Sequence, residues 1–375
     1  MARNTTINSS PLPSRQSGYS IVELMIASVI GLVVLSGAVT VFTSNKKSQE
    51  LSSGMARIQE SGRAALDILS NDIRLAGYQG CTDGAISPVV IATNTPTITF
   101  PTGSLWGAEI GNSSWTPSRH PDLTNAGSDP LPGSDVVYVQ HASGRTTILA
   151  SSMASASDSS INLARNPDQI VAGDLMMISN CHGADIFRST AVSQPTTSGV
   201  AVTFGTQANT QANLSRAYTV SGDATTTPMR VMRFESNAYF VGESGRTDAS
   251  GNSIKSLFVL DTSTDPIDNP TELIEGVEML QVLYGEQQLN GSVRYLPADD
   301  TSLNIEQVVS VQIGLLVGSI DQVTTGKDNR TYLVGNQEVG PIGSSAPLKH
   351  ATDRQLRAAF NSTIRLRNRS PNIGS

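Results

Sequence analysis

The sequence predicts an α+β fold in which one long N-terminal helix packs on a large, mainly antiparallel, β-rich domain. Three observations predict it: an apolar segment near the N-terminus, a helical apolar stripe directly after it, and short period-two apolar runs through the rest of the chain. Glycine, proline, serine and threonine are abundant and aromatic residues make up only 5%, which favours many short strands and turns. The 375 residues allow either one large or two small domains after the helix.

Charge and cysteine content bear on whether the protein binds nucleic acid and on the compartment in which it works. The net charge is −7, so binding of nucleic acid by bulk electrostatic attraction is not expected. The two cysteines, Cys81 and Cys181, would form one disulfide in an exported chain and remain thiols in a cytosolic one. The compartment of the protein therefore decides their state.

Residues 19–42 form a candidate membrane helix. They contain one ionisable side chain, Glu23, and as a helix they would span about 36 Å, enough to cross a bilayer. The segment is too long for the apolar region of an ordinary secretory signal. Residues 1–18 before it are polar and show no period, which indicates an unstructured leader. Two basic residues lie on each side of the segment, so charge alone does not orient it.

Glu23 is the informative residue of this segment. An acidic side chain inside a membrane helix is costly and is normally kept where it meets a partner. Because Glu23 lies only four residues beyond the start of the segment, its carboxylate could instead reach the membrane interface. Residue type alone leaves both interpretations open.

A helical pattern continues beyond the membrane segment, over residues 43–77. Apolar or small residues recur there at spacings of three and four: Leu51, Met55, Ile58, Gly62, Ala65, Leu69, Ile73 and Ala76. Gly77 supplies a helix stop, so we expect one helix from residue 19 to about residue 76. An independent coiled coil is the alternative, although the stripe is short and lacks ordered flanking charges.

After Gly77 the apolar period changes to two, and residues 78–375 are expected to form the β-rich body. The predicted strands cover residues 89–92, 97–100, 135–141, 175–179, 200–204, 229–234, 238–241, 257–260, 277–284, 308–317 and 363–367. Turn-rich stretches are predicted at residues 101–134, 206–228 and 319–349.

The N-terminal residues resemble the type IV prepilin motif: a basic leader, Gly18, then Tyr19-Ser-Ile-Val-Glu23 and a long apolar helix. The resemblance implies that a prepilin peptidase cuts after Gly18 and that the new N-terminus, Tyr19, is methylated. It further implies that Glu23 sets subunit registration by pairing with the N-terminal amine of a neighbouring subunit. Tyr19 departs from the phenylalanine that is commonest at this position. The leader would be cytoplasmic, and the body periplasmic or extracellular.

Body segments add a resemblance to the PilW family. Residues 63–81, which run from the helix into the body, are similar to the PilW junction, and residues 174–187, 276–285 and 363–369 are similar to later landmarks. The resemblance implies a pilin-like fold and a minor pilin of the type IV pilus that starts assembly or sits at the tip. Pilus biogenesis, twitching motility, adhesion or DNA uptake would depend on it.

The same resemblance implies a location and a set of partners. The chain would be a single-pass protein of the bacterial inner membrane and later part of the pilus at the cell surface. Its partners would be other minor pilins, the major pilin, the prepilin peptidase and methyltransferase, the inner-membrane assembly machinery and membrane lipid. No cofactor and no enzymatic activity are implied.

Two other functions fit parts of the pattern. Minor pseudopilins of type II secretion carry the same leader and helix, although the PilW-like junction favours the pilus. A membrane-anchored adhesin that binds a surface ligand through residues 101–134 is the alternative from a different class.

No catalytic or cofactor motif is found in the sequence. The histidines, His120, His141, His182 and His350, are dispersed, and no metal site is predicted from them. Asp261, Asp265 and Asp268 could offer oxygen ligands to calcium, but an exposed acidic loop is the favoured interpretation.

Two further features of the body carry expectations. Arg365, Arg367 and Arg369 should lie on one face of the last strand, either as a docking strip or as a solvated outer face, and the latter is favoured. Export would join Cys81 to Cys181 and close a loop of about 100 residues, for which chain entropy gives roughly 4.7 kcal/mol of stabilisation.

Overall fold

The computed structural model describes residues 18–80, 86–94, 100, 103–111, 114–117, 123, 129–220 and 229–369. The chain divides into two compact units, residues 1–52 and 53–375. One helix, α1 (Ile21–Leu75), crosses the boundary between them. The remainder of the second unit is built of strands, so the predicted α+β class is confirmed.

Within the described residues the strands, in chain order, are β1 (Val89–Val90), β2 (Leu105–Ile110), β3 (Trp115–Thr116), β4 (Val136–Ala142), β5 (Ser160–Leu163), β6 (Leu175–Asn180), β7 (Gly183–Arg188), β8 (Ala191–Val192), β9 (Val200–Thr203), β10 (Arg230–Thr247), β11 (Ser253–Asp261), β12 (Thr271–Glu275), β13 (Val277–Gln287), β14 (Val293–Leu296), β15 (Val308–Gly318), β16 (Tyr332–Val334), β17 (Gln337–Pro341), β18 (Leu348–His350) and β19 (Arg357–Arg365). A short 3₁₀ helix, Ile305–Gln307, precedes β15.

The strands form two main sheets and two small ones. The first main sheet has the order β1-β7-β6-β10-β4-β2-β3, with β11 also paired to β10 and β12 paired to β11. The second main sheet has the order β14-β13-β15-β19. Strand pairs are antiparallel except β1 with β7 and β17 with β18, among the pairs that the described residues form. The mainly antiparallel body that the sequence predicts is therefore confirmed.

The apolar stripe of α1 is confirmed from Ile58 onward and is wrong before it. Ile58, Ala65, Leu69, Ile73 and Ala76 are buried. Leu51 and Met55 are each 42% exposed, and the buried residue of that turn is Gly54, packed on Val323. Burying a leucine or isoleucine contributes about 1.5–3 kcal/mol, so this half of the helix is held by packing rather than by helix propensity.

The helix comes close to the second main sheet at Gly62. A Cβ atom at this position would lie 2.5 Å from the ring of Phe360 on β19, closer than any real side chain allows. A side chain at residue 62 would therefore have to displace the Phe360 ring, and glycine lets the helix approach the sheet without that movement. The helix ends at Leu75, and Gly77 follows with a φ of 78°, which is the left-handed stop that the sequence predicts.

One apolar core connects the helix to both main sheets. It contains the buried helix residues together with Leu105 of β2, Val137 and Val139 of β4, Leu280 and Val282 of β13 and Ile313 and Leu315 of β15. The helix is thus part of the core of the second unit, and the body could not keep this core without it.

Most predicted strands are present, with three corrections. Residues 229–234 and 238–241 belong to a single strand, the 18-residue β10, because the polar residues between them are paired inside the sheet. Residues 101–134 were expected to be turns but contain β2, and residues 319–349 contain β16 and β17. The last strand begins at Arg357 rather than at residue 363. The prediction for residues 97–100 falls mostly outside the described residues.

The strand β2 was missed because Gly107 suggests a turn. A Cβ atom there would lie 2.1 Å from the hydroxyl oxygen of Tyr284, so the glycine makes room for a side chain of the second main sheet. Tyr284 is fully buried between the two sheets. Gly107 is therefore explained by close packing against Tyr284 rather than by a turn.

The buried carboxyl group of Asp135, which is paired with the half-buried Glu109, also joins the main sheets. Asp135, just before β4, accepts a hydrogen bond from the Val282 amide at 2.7 Å and is hydrogen-bonded to Glu109 of β2. Burial raises the pKa of Asp135 well above its usual range, and the negative charge of Glu109 raises it further. Of the two groups, Asp135 therefore keeps its proton to higher pH, and when protonated it donates a hydrogen bond to Glu109.

This arrangement predicts a pH-dependent contribution to stability. Because the folded-state pKa of Asp135 is raised, its contribution is complete below the unfolded pKa of about 3.9 and is lost as pH rises through the folded pKa. Each pH unit that separates the two pKa values corresponds to about 1.4 kcal/mol of unfolding free energy. Asp135→Asn keeps the shape and the donor of the protonated acid. We expect its melting temperature to fall less with rising pH than that of the unsubstituted chain.

The measurement is thermal unfolding of the full mature chain in detergent over a pH series, with Asp67→Asn on an exposed face of α1 as the control. The control should reproduce the original pH profile. If Asp135→Asn also gave a parallel profile, Asp135 would not be the buried acid that holds the proton.

Candidate functional site

The predicted processing residues precede the helix. Gly18, Tyr19 and Ser20 are not helical, and α1 begins at Ile21. The Tyr19 side chain is 90% exposed and a Cβ atom at Gly18 would meet nothing within 4 Å. The bond between Gly18 and Tyr19 therefore lies in accessible, non-helical chain, as a peptidase substrate requires.

Glu23 closes a capping box with Ser20. Its Oε2 accepts a hydrogen bond from the Ser20 amide at 3.1 Å, and Ser20 Oγ accepts one from the Val22 amide at 3.3 Å. Two of the unpaired amides at the start of α1 are thereby satisfied. This cap was not predicted, although the spacing Ser-x-x-Glu is its signal in the sequence.

The other polar side chains of the apolar segment are satisfied within their own helix. Ser28, Ser36, Thr40 and Thr43 each donate to a backbone carbonyl three or four residues earlier, at 2.8 to 3.0 Å. In lipid such hydroxyls need no further partner. Glu23 is the one charged side chain of residues 19–42, and none of the contacts described within its own helix supplies a positive partner.

The helix is long and apolar enough to cross a membrane, with a mean hydropathy of 2.4 over its most apolar window, all of it exposed.

Residues 13–39 match the model of the prokaryotic N-terminal methylation motif, and residues 238–368 match the model of type IV pilus-assembly protein W, PilW. The chain is therefore similar to type IV prepilins at its N-terminus and to PilW in its body. No curated protein sequence and no solved structure matches it.

The two matches fall on different parts of the PilW-like chain. The motif match covers the prepilin junction and the start of α1, which fits anchoring in a membrane. The PilW match runs from the middle of β10 to the end of the second main sheet. It contains residues 276–285 and most of residues 363–369, two of the segments that resemble the family, while residues 63–81 and 174–187 lie outside it. Together the matches give the chain a role in the type IV pilus, as a structural component.

The cysteine prediction remains a prediction, because Cys81 lies outside the described residues. The flanking backbone supports it. Ser179 Oγ donates to the Gln79 carbonyl at 2.7 Å, so the chain two residues before Cys81 lies against the chain two residues before Cys181.

A polar cluster that sequence reasoning missed lies where the helix enters the body. Asp72 of α1 meets His141 of β4, with 2.6 Å between Oδ1 and Nε2. Its other oxygen, Oδ2, accepts hydrogen bonds from Asn237 Nδ2 at 3.2 Å and from the Tyr239 hydroxyl at 2.9 Å. Glu235 of β10 is the fifth member, with Oε2 3.9 Å from His141 Nε2.

Electrostatics in this cluster favour the charged pair. Burial lowers the pKa of His141, but the hydrogen bond to Asp72 and the charge of that carboxylate raise it above its ordinary value. Burial also raises the pKa of Asp72, and its bonds to His141, Asn237 and Tyr239 bring it below its ordinary value. Sequence reasoning could not find the cluster because Asp72, His141 and Glu235 are far apart along the chain, on three different elements.

The remaining candidates do not form a site among the described residues. His182 is exposed, both ring nitrogens of His350 face backbone carbonyls, and His120 lies outside the described residues. Asp261 accepts hydrogen bonds from the amide and hydroxyl of Ser263 and lies 3.6 Å from the Arg233 guanidinium. Asp265 accepts a hydrogen bond from the Asn94 side chain.

The C-terminal arginines follow the expected alternation. Arg365 and Arg367 are exposed, whereas Ile364 and Leu366 are buried. Arg369 donates to the Ile305 carbonyl at 2.7 Å, so it is tied to the body rather than part of a free strip.

Proposed function

We propose that this PilW-like chain is a minor pilin that helps to start assembly of a type IV pilus and sits at its tip. The observation that carries the proposal is the presence, in one chain, of the N-terminal methylation motif and of a PilW match in the body. Pilus biogenesis, twitching motility, adhesion or DNA uptake would then depend on it.

On this proposal the prepilin peptidase cuts after Gly18 and Tyr19 becomes the methylated N-terminus. The helix α1 holds the chain in the inner membrane, with the body in the periplasm, until the assembly machinery moves it into the pilus. Other minor pilins and the major pilin are its partners. Their helices would surround the apolar side chains that α1 exposes over residues 21–42.

Glu23 is the residue proposed to set the register between subunits. Cleavage leaves a positive amine at Tyr19, and a negative carboxylate from a neighbour would make both charges less costly in an apolar environment. In the free chain the same carboxylate caps its own helix through Ser20. Capping and registration therefore make different demands on the side chain, since a cap needs only an acceptor whereas registration needs a charge.

This difference gives a direct test. Glu23→Gln keeps an acceptor for the Ser20 amide, because glutamine also serves in a capping box, but it removes the charge. Glu23→Ala removes both, and Ser20→Ala weakens the cap by about 0.5–2 kcal/mol while keeping the charge. We expect both Glu23 variants to be processed and inserted yet to give few pili, and Ser20→Ala to give nearly normal numbers.

Pili are counted by electron microscopy in a deletion strain that carries each variant, and processing is followed by the mobility of the chain on gels. Normal piliation with Glu23→Gln would reduce Glu23 to a helix cap. Loss of pili with Ser20→Ala to the same extent would point to the cap as the important feature.

The size of the body supports a terminal position. A compact unit of the length of residues 53–375 has a radius of gyration of about 20 Å. Pilin helices in a shaft pack closely side by side, and bodies of this size would collide if every subunit carried one. At the tip nothing has to pack above the body.

Deletion of the gene should therefore sharply reduce the number of pili and leave the diameter of any remaining pili unchanged. The labelled chain should be found at pilus ends, in far fewer copies than the major pilin. Immunogold labelling of sheared pili, with the major pilin as a control for uniform labelling, measures both. Uniform label of this chain along the shaft would contradict the placement.

A further inference from the structure

The cluster at the junction of helix and body, Asp72, His141 and Glu235, has the composition of a metal site. One ligand atom from each of these side chains lies within 4.8 Å of the others, and within the described part of the chain no other group of three acidic, histidine or cysteine side chains is so close. We propose that these three side chains bind one divalent transition-metal ion of the zinc type. The ion would tie the end of α1 to β4 and β10.

The ion would take the place of the proton on His141 Nε2. The Nδ1 of His141 lies 2.9 Å from the carbonyl oxygen of Ala142, which can only accept, so Nδ1 carries a hydrogen. Its Nε2 then faces Asp72 Oδ1 at 2.6 Å. This distance is that of a hydrogen bond from a protonated Nε2, and loss of that proton would leave a lone pair aimed at the Asp72 carboxylate, where the ion would bind.

The ligand set suits a metal ion. Imidazole nitrogen with carboxylate oxygens is a common donor set for zinc and its neighbours, and two carboxylates balance the charge of a divalent ion. Asp168 adds a further negative charge near Glu235. One of its carboxylate oxygens, Oδ2, is buried and has no hydrogen-bond partner among the described residues.

Only small movements would be needed to admit the ion. Ligand atoms bound tetrahedrally at about 2.0–2.1 Å lie about 3.3 Å apart. His141 Nε2 and Asp72 Oδ1 at 2.6 Å must therefore separate slightly, and Glu235 Oε2 must come closer than its present 3.9 Å from Nε2. Glu235 is 33% exposed, so its side chain has room to rotate.

Residues that hydrogen-bond to Asp72 and His141 hold these ligands in place, as such residues do in metalloproteins. The Ala142 carbonyl orients the imidazole, and Asn237 and Tyr239 hold the second oxygen of Asp72. Asn237 and Tyr239 also line an open cavity of about 450 Å³, which gives a path for the ion and for a water as its fourth ligand. The charged Arg233 in that cavity lies close to Asp174 and Asp261, 3.6 Å from each.

The test is titration of the full mature chain, without an affinity tag and with its cysteines oxidised, with zinc chloride in detergent. We expect one zinc ion per chain by calorimetry, a higher melting temperature in its presence, and nitrogen and oxygen neighbours without sulfur by X-ray absorption. Glu235→Gln and His141→Gln should each weaken zinc binding by at least about tenfold. Even substitution of residues that only hydrogen-bond to a metal ligand lowers affinity on that scale.

His182→Gln, at an exposed histidine, is the matched control and should bind zinc normally. If His141→Gln does not fold, Glu235→Gln at the partly exposed ligand decides alone. Zinc binding that is absent, or equal in Glu235→Gln and the original chain, would overturn the proposal. The proton of the hydrogen bond would then remain between His141 and Asp72.

Discussion

The structure of the body depends on the burial of one face of α1 from Ser53 onward. Ile58, Leu69 and Ile73 enter a core that both main sheets share, and Gly62 lets the helix approach Phe360 on β19. Because Gly62 has no side chain, the helix can lie against the Phe360 ring with this face toward the sheet. The helix is therefore a structural member of the body at its second half, while its first half is long and apolar enough to cross a membrane.

Polar groups at the edges of this core give it a single arrangement. Asp72 joins the helix to β4 and β10, and Asp135, which precedes β4, accepts a hydrogen bond from the Val282 amide of β13. Buried polar groups are costly when unpaired, so each pairing excludes packings in which the partners separate. Apolar burial supplies the stability, and these pairs specify which surfaces meet.

The parts of the fold that could be predicted are those with local periodicity. The helix, its stop at Gly77 and most central strands follow from spacings of three and four or of two. The strand β2 and the continuity of β10 could not be seen, because Gly107 and the polar residues 235–237 mimic turns and are explained only by distant partners. The side chains of Leu51 and Met55 are exposed although they continue the stripe, since the body contacts the helix at Gly54 instead.

The candidate sites divide in the same way. The prepilin-like motif is contiguous, so Gly18, Tyr19 and Glu23 could be predicted as candidates from their spacing, whereas the cluster of Asp72, His141 and Glu235 is assembled by the fold. The central claim, that α1 is the helix of a processed prepilin, is tested most directly by mass spectrometry of the chain isolated from piliated cells. The account predicts an N-terminal peptide that begins at Tyr19 and carries one methyl group on its amine. A chain that retains residues 1–18, in cells whose major pilin is fully processed, would contradict it.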